Sequence, residues 1–103
     1  MASELFDCAA EWMEKRTSLE RLEARGTLRL ALKTAGLEPA TLSLEQLRVV
    51  FERILPGELE MRGVSEAAGV CEALMEEIAR SPAAQGAPAA AAADEIFRRL
   101  GGD

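Results

Sequence analysis

The chain has 103 residues, of which 49% are hydrophobic, so it holds one small domain with an apolar core. Only 4% of the residues are aromatic, which leaves Leu, Ala, Val, Ile and Met to build that core and favours packed helices. The net charge of −6 argues against nucleic-acid binding by the chain as a whole.

The first predicted helix runs from about residue 3 to residue 16, with an apolar face and an acidic face. Ser3 is its predicted N-cap. Thr17 and Glu20 then have the spacing of a capping box, which predicts a break and a new helix start. One continuous helix through Thr17 is the alternative.

The second predicted helix, from about residue 18 to residue 35, is apolar on two sides. We therefore expect neighbours on both sides, which makes its second half the central element of the fold. Gly26 costs about 1 kcal/mol relative to Ala inside a helix, and it permits close helix approach or marks a kink. Gly36 stands where a left-handed C-cap belongs. The two stripes are Leu19, Leu22, Gly26 and Leu30, and Leu28, Ala31, Leu32 and Ala35.

Three further helical segments complete the body of the domain. Ser43 and Gln46 have capping-box spacing at the start of a helix with one continuous apolar face. Pro56 ends that helix or begins a short one that Gly63 closes. The last body helix runs from about residue 65 to residue 80. No strand pattern occurs, so the sequence predicts an all-α bundle of four to five helices within residues 1–80.

The C-terminal part has a different composition. Residues 81–93 are uncharged and rich in Ala, Pro and Gly, as linkers often are. Pro82, Gly86 and Pro88 argue against a helix in the first half of this linker. The following sequence favours a C-terminal docking helix over residues 94–103. Two interpretations stay open: this helix packs on its own bundle, or it docks on another subunit or a partner. Its predicted anchors are Ile96, Phe97 and Leu100.

The sequence lacks the usual motifs of catalysis. It contains no His, which removes the commonest general base and a common zinc ligand. No P-loop, dinucleotide-binding or nucleophile-elbow motif occurs. Carboxylate pairs such as Glu72 and Glu76 lie on a polar helix face, which is typical of a solvated surface. We therefore predict that the chain is not an enzyme, with no catalytic residue, no metal and no cofactor.

Two cysteines remain to be interpreted. Cys71 lies within an apolar face and Cys8 at the edge of another, which predicts two small buried side chains. The alternative is a redox pair linking the first and last body helices. No cation or helix start flanks Cys71 to lower its pKa, which favours the first interpretation.

A basic ridge runs along the second helix, because a cation recurs every four residues. Like charges at this spacing repel by about 0.2–0.5 kcal/mol per pair, so an acidic surface should offset them. Residues 1–14 carry four acids and no base. The ridge therefore pairs with neighbouring helices or with a second copy, or it binds an acidic protein or a nucleic-acid backbone. Its members are Arg21, Arg25, Arg29 and Lys33.

A helix-turn-helix motif fits the sequence poorly. The connector at about residues 36–43 is longer than such motifs use. The helix that follows it balances Glu45 and Glu52 with Arg48 and Arg53, so it is not basic. Sequence-specific DNA binding is therefore the weaker alternative.

The sequence also indicates where the protein works. No stretch is apolar enough to span a membrane, and the acidic N-terminal residues lack a signal-peptide pattern. Two cysteines without an export signal predict a cytoplasmic protein with reduced thiols. The Ala-, Leu-, Glu- and Arg-rich composition is common in bacterial proteins.

These observations together predict a non-catalytic helical adaptor or regulator that binds a protein partner or forms a homo-oligomer such as a dimer. A nucleic-acid-binding regulator that uses the basic ridge is the alternative. A non-catalytic subunit of a larger enzyme complex is the third possibility. The predicted partner-binding residues are Ile96, Phe97, Leu100, Arg21, Arg25, Arg29 and Lys33.

Overall fold

The computed structural model describes residues 3–85, and every regular element within that range is helical. The predicted all-α bundle is thereby confirmed. A single 3₁₀ turn at Pro39–Thr41 lies between the second and third α-helices. The α-helices are α1 (Glu4–Arg16), α2 (Arg21–Thr34), α3 (Leu44–Arg53), α4 (Leu55–Met61), α5 (Ala67–Ala79) and α6 (Pro82–Gln85).

Two helices begin at the serine N-caps that the sequence predicts. The Ser3 hydroxyl accepts a hydrogen bond from the backbone N–H of Phe6 at 3.2 Å, which starts α1. The Ser43 hydroxyl accepts from the backbone N–H of Gln46 at 3.1 Å, and the Gln46 side chain accepts from the backbone N–H of Ser43 at 2.9 Å. This reciprocal capping box satisfies donors that the first turn of α3 leaves free.

The break between α1 and α2 is confirmed, but the capping box predicted there is wrong. The Thr17 hydroxyl donates to the Met13 carbonyl at 2.6 Å and accepts from the backbone N–H of Leu19 at 3.2 Å. It therefore closes α1 instead of opening α2. The N-cap of α2 is Glu20, which makes no side-chain capping bond, so α2 begins at Arg21.

Two glycines end helices as predicted. Gly36 has φ 74° and Gly63 has φ 84°, a left-handed conformation that strains residues with a Cβ. Each allows the following N–H to reach back to a carbonyl five residues earlier, as in a Schellman motif. These bonds join the Leu37 N–H to the Leu32 carbonyl at 2.9 Å and the Val64 N–H to the Leu59 carbonyl at 3.0 Å.

The central element of the bundle is α5. Helices α1, α3, α4 and α6 all pack against it, whereas α2 packs on α1 and α4. The apolar face of α5 is buried in the shared core, as the sequence predicts for this helix. Its buried residues are Ala67, Cys71, Leu74, Met75 and Ile78.

The expectation that α2 is covered on two sides is wrong. Its stripe around Leu28 and Leu32 is fully buried against the neighbouring helices. On the opposite side, Leu22 is 83% exposed and Leu30 is 44% exposed, and Gly26 between them is also exposed. The physical reason is that α2 lies at the periphery, so the second stripe meets the core only at Leu19, which precedes α2 and is buried.

The predicted linker begins with a short helix that the sequence argued against. Pro82 is the first residue of α6, where a proline is tolerated because the N–H it lacks has no helical partner. Ala84 packs against the core. The remainder of the linker and the predicted docking helix, with Ile96, Phe97 and Leu100, lie outside the described residues.

One residue at the start of α5 has an unfavourable backbone conformation. Glu66 is the N-cap of α5 and has φ 52°, and no other non-glycine residue within 3–85 has a positive φ. Its side chain makes no capping hydrogen bond in return. A left-handed conformation costs a residue with a Cβ about 1–2 kcal/mol, so Glu66 weakens the fold locally.

We expect Glu66→Gly to raise the free energy of unfolding by about 0.5–1 kcal/mol, because glycine adopts this conformation without strain. Urea denaturation followed by circular dichroism measures the change. Gly63→Ala is the matched control and should lower the free energy of unfolding by a similar amount, since Gly63 also has a positive φ. A destabilised Glu66→Gly variant would contradict the expectation.

Candidate functional site

The basic ridge of α2 is engaged in its middle by α1. The Arg25 Nη2 atom lies 2.9 Å from the Asp7 Oδ1 atom, and the Arg25 guanidinium lies over the Phe6 ring at 5.1 Å from its centroid. The Arg29 guanidinium lies over the same ring at 5.3 Å. The predicted pairing of the ridge with a neighbouring acidic helix is therefore present at Arg25, in the same chain.

The two ends of the basic ridge differ in their nearest charged neighbours. Arg21 is exposed and lines a cleft of about 450 Å³ between α1 and α2, together with the acidic residues Asp7, Glu11 and Glu14. Lys33 is exposed at the other end, and it forms no ion pair within the described part of the chain. The cations at positions 29 and 33 therefore reach solvent beside the exposed apolar stripe.

The first candidate surface is the outward face of α2, which we define as Leu22, Gly26, Arg29, Leu30 and Lys33. Their spacing of three, four and seven residues places them on one side of the helix. A Cβ built at Gly26 would meet no atom within 4 Å. Nothing in the described fold therefore requires a glycine there. A glycine between two exposed leucines would instead allow the backbone of another helix to approach closely.

The second candidate surface is a groove of about 490 Å³ between α3, the start of α4, and α5, here called the α3–α5 groove. Its floor is apolar and its rim is mainly acidic. Because one base faces three acids on the rim, the groove favours a cationic occupant. The floor includes Phe51, Cys71 and Met75, and the charged rim residues are Arg48, Glu52, Glu72 and Glu76.

The sequence assigns partner binding to Arg29 and Lys33 of the outward face but not to its leucines, and it assigns no function to the α3–α5 groove. Glu72 and Glu76 were correctly placed on a polar face, but no local pattern shows that this face adjoins Arg48 and Glu52 of α3. The sequence also predicts a covered stripe at Leu22 and Leu30, which are exposed. Which of two apolar stripes is buried depends on which helices pack against each other. That packing depends on contacts between residues distant in sequence.

The two cysteines are free thiols. Cys71 is 1% exposed, and desolvation by burial raises its pKa from the ordinary value of 9.0 to about 12. A thiol that stays protonated is a poor nucleophile. The structure therefore favours the interpretation of Cys71 as a small buried side chain over the interpretation as a redox partner of Cys8.

Within residues 3–85, no group of three His, Cys, Asp or Glu residues is arranged to hold a metal ion. None of the helices in this range combines the length and the apolar composition that a bilayer crossing requires. No protein-family model, curated protein or solved structure matches the chain. The two candidate surfaces are therefore interpreted from their own chemistry.

We expect the Cys71 thiol of a Cys8→Ser variant to be unreactive towards a disulfide reagent at pH 8 in the native state. With a pKa of about 12, roughly one thiol in ten thousand is ionised at this pH. In denaturant the thiol should react completely. Absorbance of the released reagent measures the reaction in the native state and in denaturant. A Cys8→Ser/Cys71→Ser variant gives the background. Rapid reaction in the native state would contradict the burial of Cys71.

The ridge residues should differ in their effect on stability. We expect Arg25→Ala to lower the free energy of unfolding by about 1 kcal/mol, since it removes an ion pair and a cation–π contact. Lys33→Ala should change it by less than about 0.5 kcal/mol, because Lys33 forms no ion pair within residues 3–85. Urea denaturation at low and high salt measures the change in the free energy of unfolding for both variants. Equal effects would show that the contact with α1 is unimportant.

Proposed function

We propose that this chain is a non-catalytic protein-interaction module, an adaptor or regulator, that binds its partner through the outward face of α2. The observation that carries the proposal is the exposure of Leu22 and Leu30 on either side of Gly26. Scattered single leucines are common on protein surfaces. Here two of them share a helix face with a glycine that the fold itself does not use.

The energetics of this face suit a partner helix. Full burial of a leucine side chain contributes about 1.5–3 kcal/mol, so Leu22 can act as an anchor, with a smaller share from the half-exposed Leu30. An added Cβ at Gly26 would hold a partner backbone away from α2. Glycine therefore allows tighter packing at the middle of the contact, where anchors of an interface tend to cluster.

The charges on this face define the chemistry of the partner. Arg29 and Lys33 lie beside the two leucines, so a complementary partner carries apolar residues flanked by acids. An amphipathic helix with apolar residues three or four apart and acidic flanks meets both requirements. Such a helix could belong to an enzyme, in which case this chain would be its non-catalytic subunit.

A nucleic-acid backbone fits this face less well. It would be bound by a row of free cations, but Arg25 is paired with Asp7 and stacked on Phe6, which interrupts the ridge. The exposed leucines also gain nothing from a phosphate backbone. Protein binding is the function that uses all the exposed residues of the face.

Self-association is the second form of the proposal. In a symmetric contact between two parallel α2 helices, the Arg29 and Lys33 residues of both copies come close together and repel. Salt screens that repulsion, so a dimer formed in this way should tighten as the salt concentration rises. Binding of an acidic partner helix should instead weaken with salt.

Peptide phage selection on the full chain tests the proposed face. We expect enriched peptides with helical apolar spacing and acidic flanks, and loss of their binding of at least about tenfold in a Leu22→Glu/Leu30→Glu variant, because both anchors and the charge complementarity are removed. Met61→Glu is the matched control, since Met61 is 79% exposed on α4. It should bind the same peptides as the unmodified chain.

Peptides that bind the Leu22→Glu/Leu30→Glu variant unchanged would place the interaction elsewhere. Binding of duplex DNA with a steep loss of affinity at higher salt would favour the nucleic-acid alternative. Light-scattering mass at low and high salt, on the same samples, detects a dimer.

A further inference from the structure

We propose that the outward face of α2 selects the direction of its partner helix, through Glu23 and Arg29 at the two edges of the face. This inference rests on the proposed function and adds the arrangement of charges that the partner needs. The partner presents an acidic side chain to Arg29 and a basic side chain to Glu23, and it runs antiparallel to α2.

The two exposed leucines of the face have opposite charges on their outer sides. Each residue advances about 100° around an α-helix, so Leu22 and Leu30 lie about 80° apart. Arg29 lies about 20° outside Leu22, and Glu23 lies about 20° outside Leu30. Glu23 and Arg29 are both exposed. The face therefore has a basic edge beside Leu22 and an acidic edge beside Leu30.

Helix α1 holds the basic edge in place. The Arg29 guanidinium lies over the Phe6 ring of α1, at 5.3 Å from its centroid, and Phe6 is fully buried. A guanidinium with a restricted position loses less conformational entropy when it binds a carboxylate. Arg29 forms no ion pair within residues 3–85, so its charge remains available to a partner.

The other arginines on this side of α2 already have acidic neighbours in the same chain. The Arg25 guanidinium is paired with the Asp7 carboxylate at 2.9 Å. Arg21 lies in the cleft with three acids of α1. Arg29 is therefore the cation that this edge presents to a partner, and Lys33 adds positive charge towards the same end of α2.

The opposite edge carries an acid that no base neutralises in the described part of the chain. Glu23 forms no ion pair there. It precedes Arg29 by six residues, which places it about 9 Å nearer the N-terminus of α2 along the helix axis. The charge of the face therefore changes both across α2 and along it.

These two changes together specify a direction. Reversing a helix while its apolar side stays on α2 exchanges its two edges, so a partner with one acidic and one basic edge matches both edges of the face in one direction only. Acids are favoured in the first turn of a helix and bases in the last turn. A partner with that order of charges places its acidic start beside Arg29 and its basic end beside Glu23 when it runs antiparallel to α2.

A peptide from the phage selection, synthesised with a nitroxide at its N-terminus, tests the direction. In the complex with the full chain, backbone amides close to the nitroxide lose intensity in the proton–nitrogen NMR spectrum. We expect this loss at residues 31–35 and not at residues 20–23. The enriched peptides should also carry acids on one edge of their apolar side and bases on the other.

The variant that tests the role of the edges is Glu23→Arg/Arg29→Glu, which exchanges the two charges and keeps the net charge of −6. We expect the same peptide to bind it in the opposite direction, with the intensity loss at residues 20–23. Arg48→Glu/Glu52→Arg is the matched control, because it makes the same exchange on exposed residues of α3. It should leave the direction unchanged. Circular dichroism verifies that both variants are folded.

The results that overturn this proposal differ from those that overturn the proposed function. If no peptide depends on Leu22 and Leu30 for binding, both are wrong. Leucine-dependent peptides without distinct acidic and basic edges, or with the nitroxide near residues 20–23 of the unmodified chain, would contradict the direction alone. So would a peptide that keeps its direction on the exchanged variant, or that loses binding without reversing, since the shape of the face would then set the direction.

Discussion

The bundle depends on the burial of the apolar face of α5 among four other helices. Because α1, α3 and α4 each pack against it, their apolar stripes meet in one shared core, and α6 adds the partly buried Ala84. Helix α2 is outside that arrangement and contacts α1 and α4. Its peripheral position decides which of its two apolar stripes is buried, and so leaves Leu22 and Leu30 in solvent.

The sequence predicts the helices well because their ends are defined locally. Ser43 with Gln46, Gly36 and Gly63 each act on backbone groups within a few residues, so spacing alone identifies them. The same reasoning failed at Thr17, whose hydroxyl had two local uses. It closes α1 by donating to Met13, and residue spacing does not distinguish that use from a capping box.

The candidate surfaces were harder to predict, since each depends on which helices become neighbours. The sequence shows the basic ridge on α2. It does not show which ridge residues contact α1 and which are exposed. Arg25 is half-buried between Asp7 and Phe6, whereas Lys33 is exposed. Each four-residue step advances about 40° around the helix, so these two residues lie about 80° apart on α2. The α3–α5 groove combines residues from segments about twenty positions apart. No periodicity in the sequence predicts a contact between such distant segments.

The two surfaces differ in charge, and that difference allows them to work independently. The outward face of α2 combines exposed leucines with Arg29 and Lys33, while the groove combines a buried apolar floor with Glu72 and Glu76. A partner with acidic residues beside its apolar residues is attracted by the outward face of α2 and repelled by the rim of the groove. The two surfaces therefore favour occupants of opposite charge, so a partner bound at the outward face of α2 does not compete for the groove.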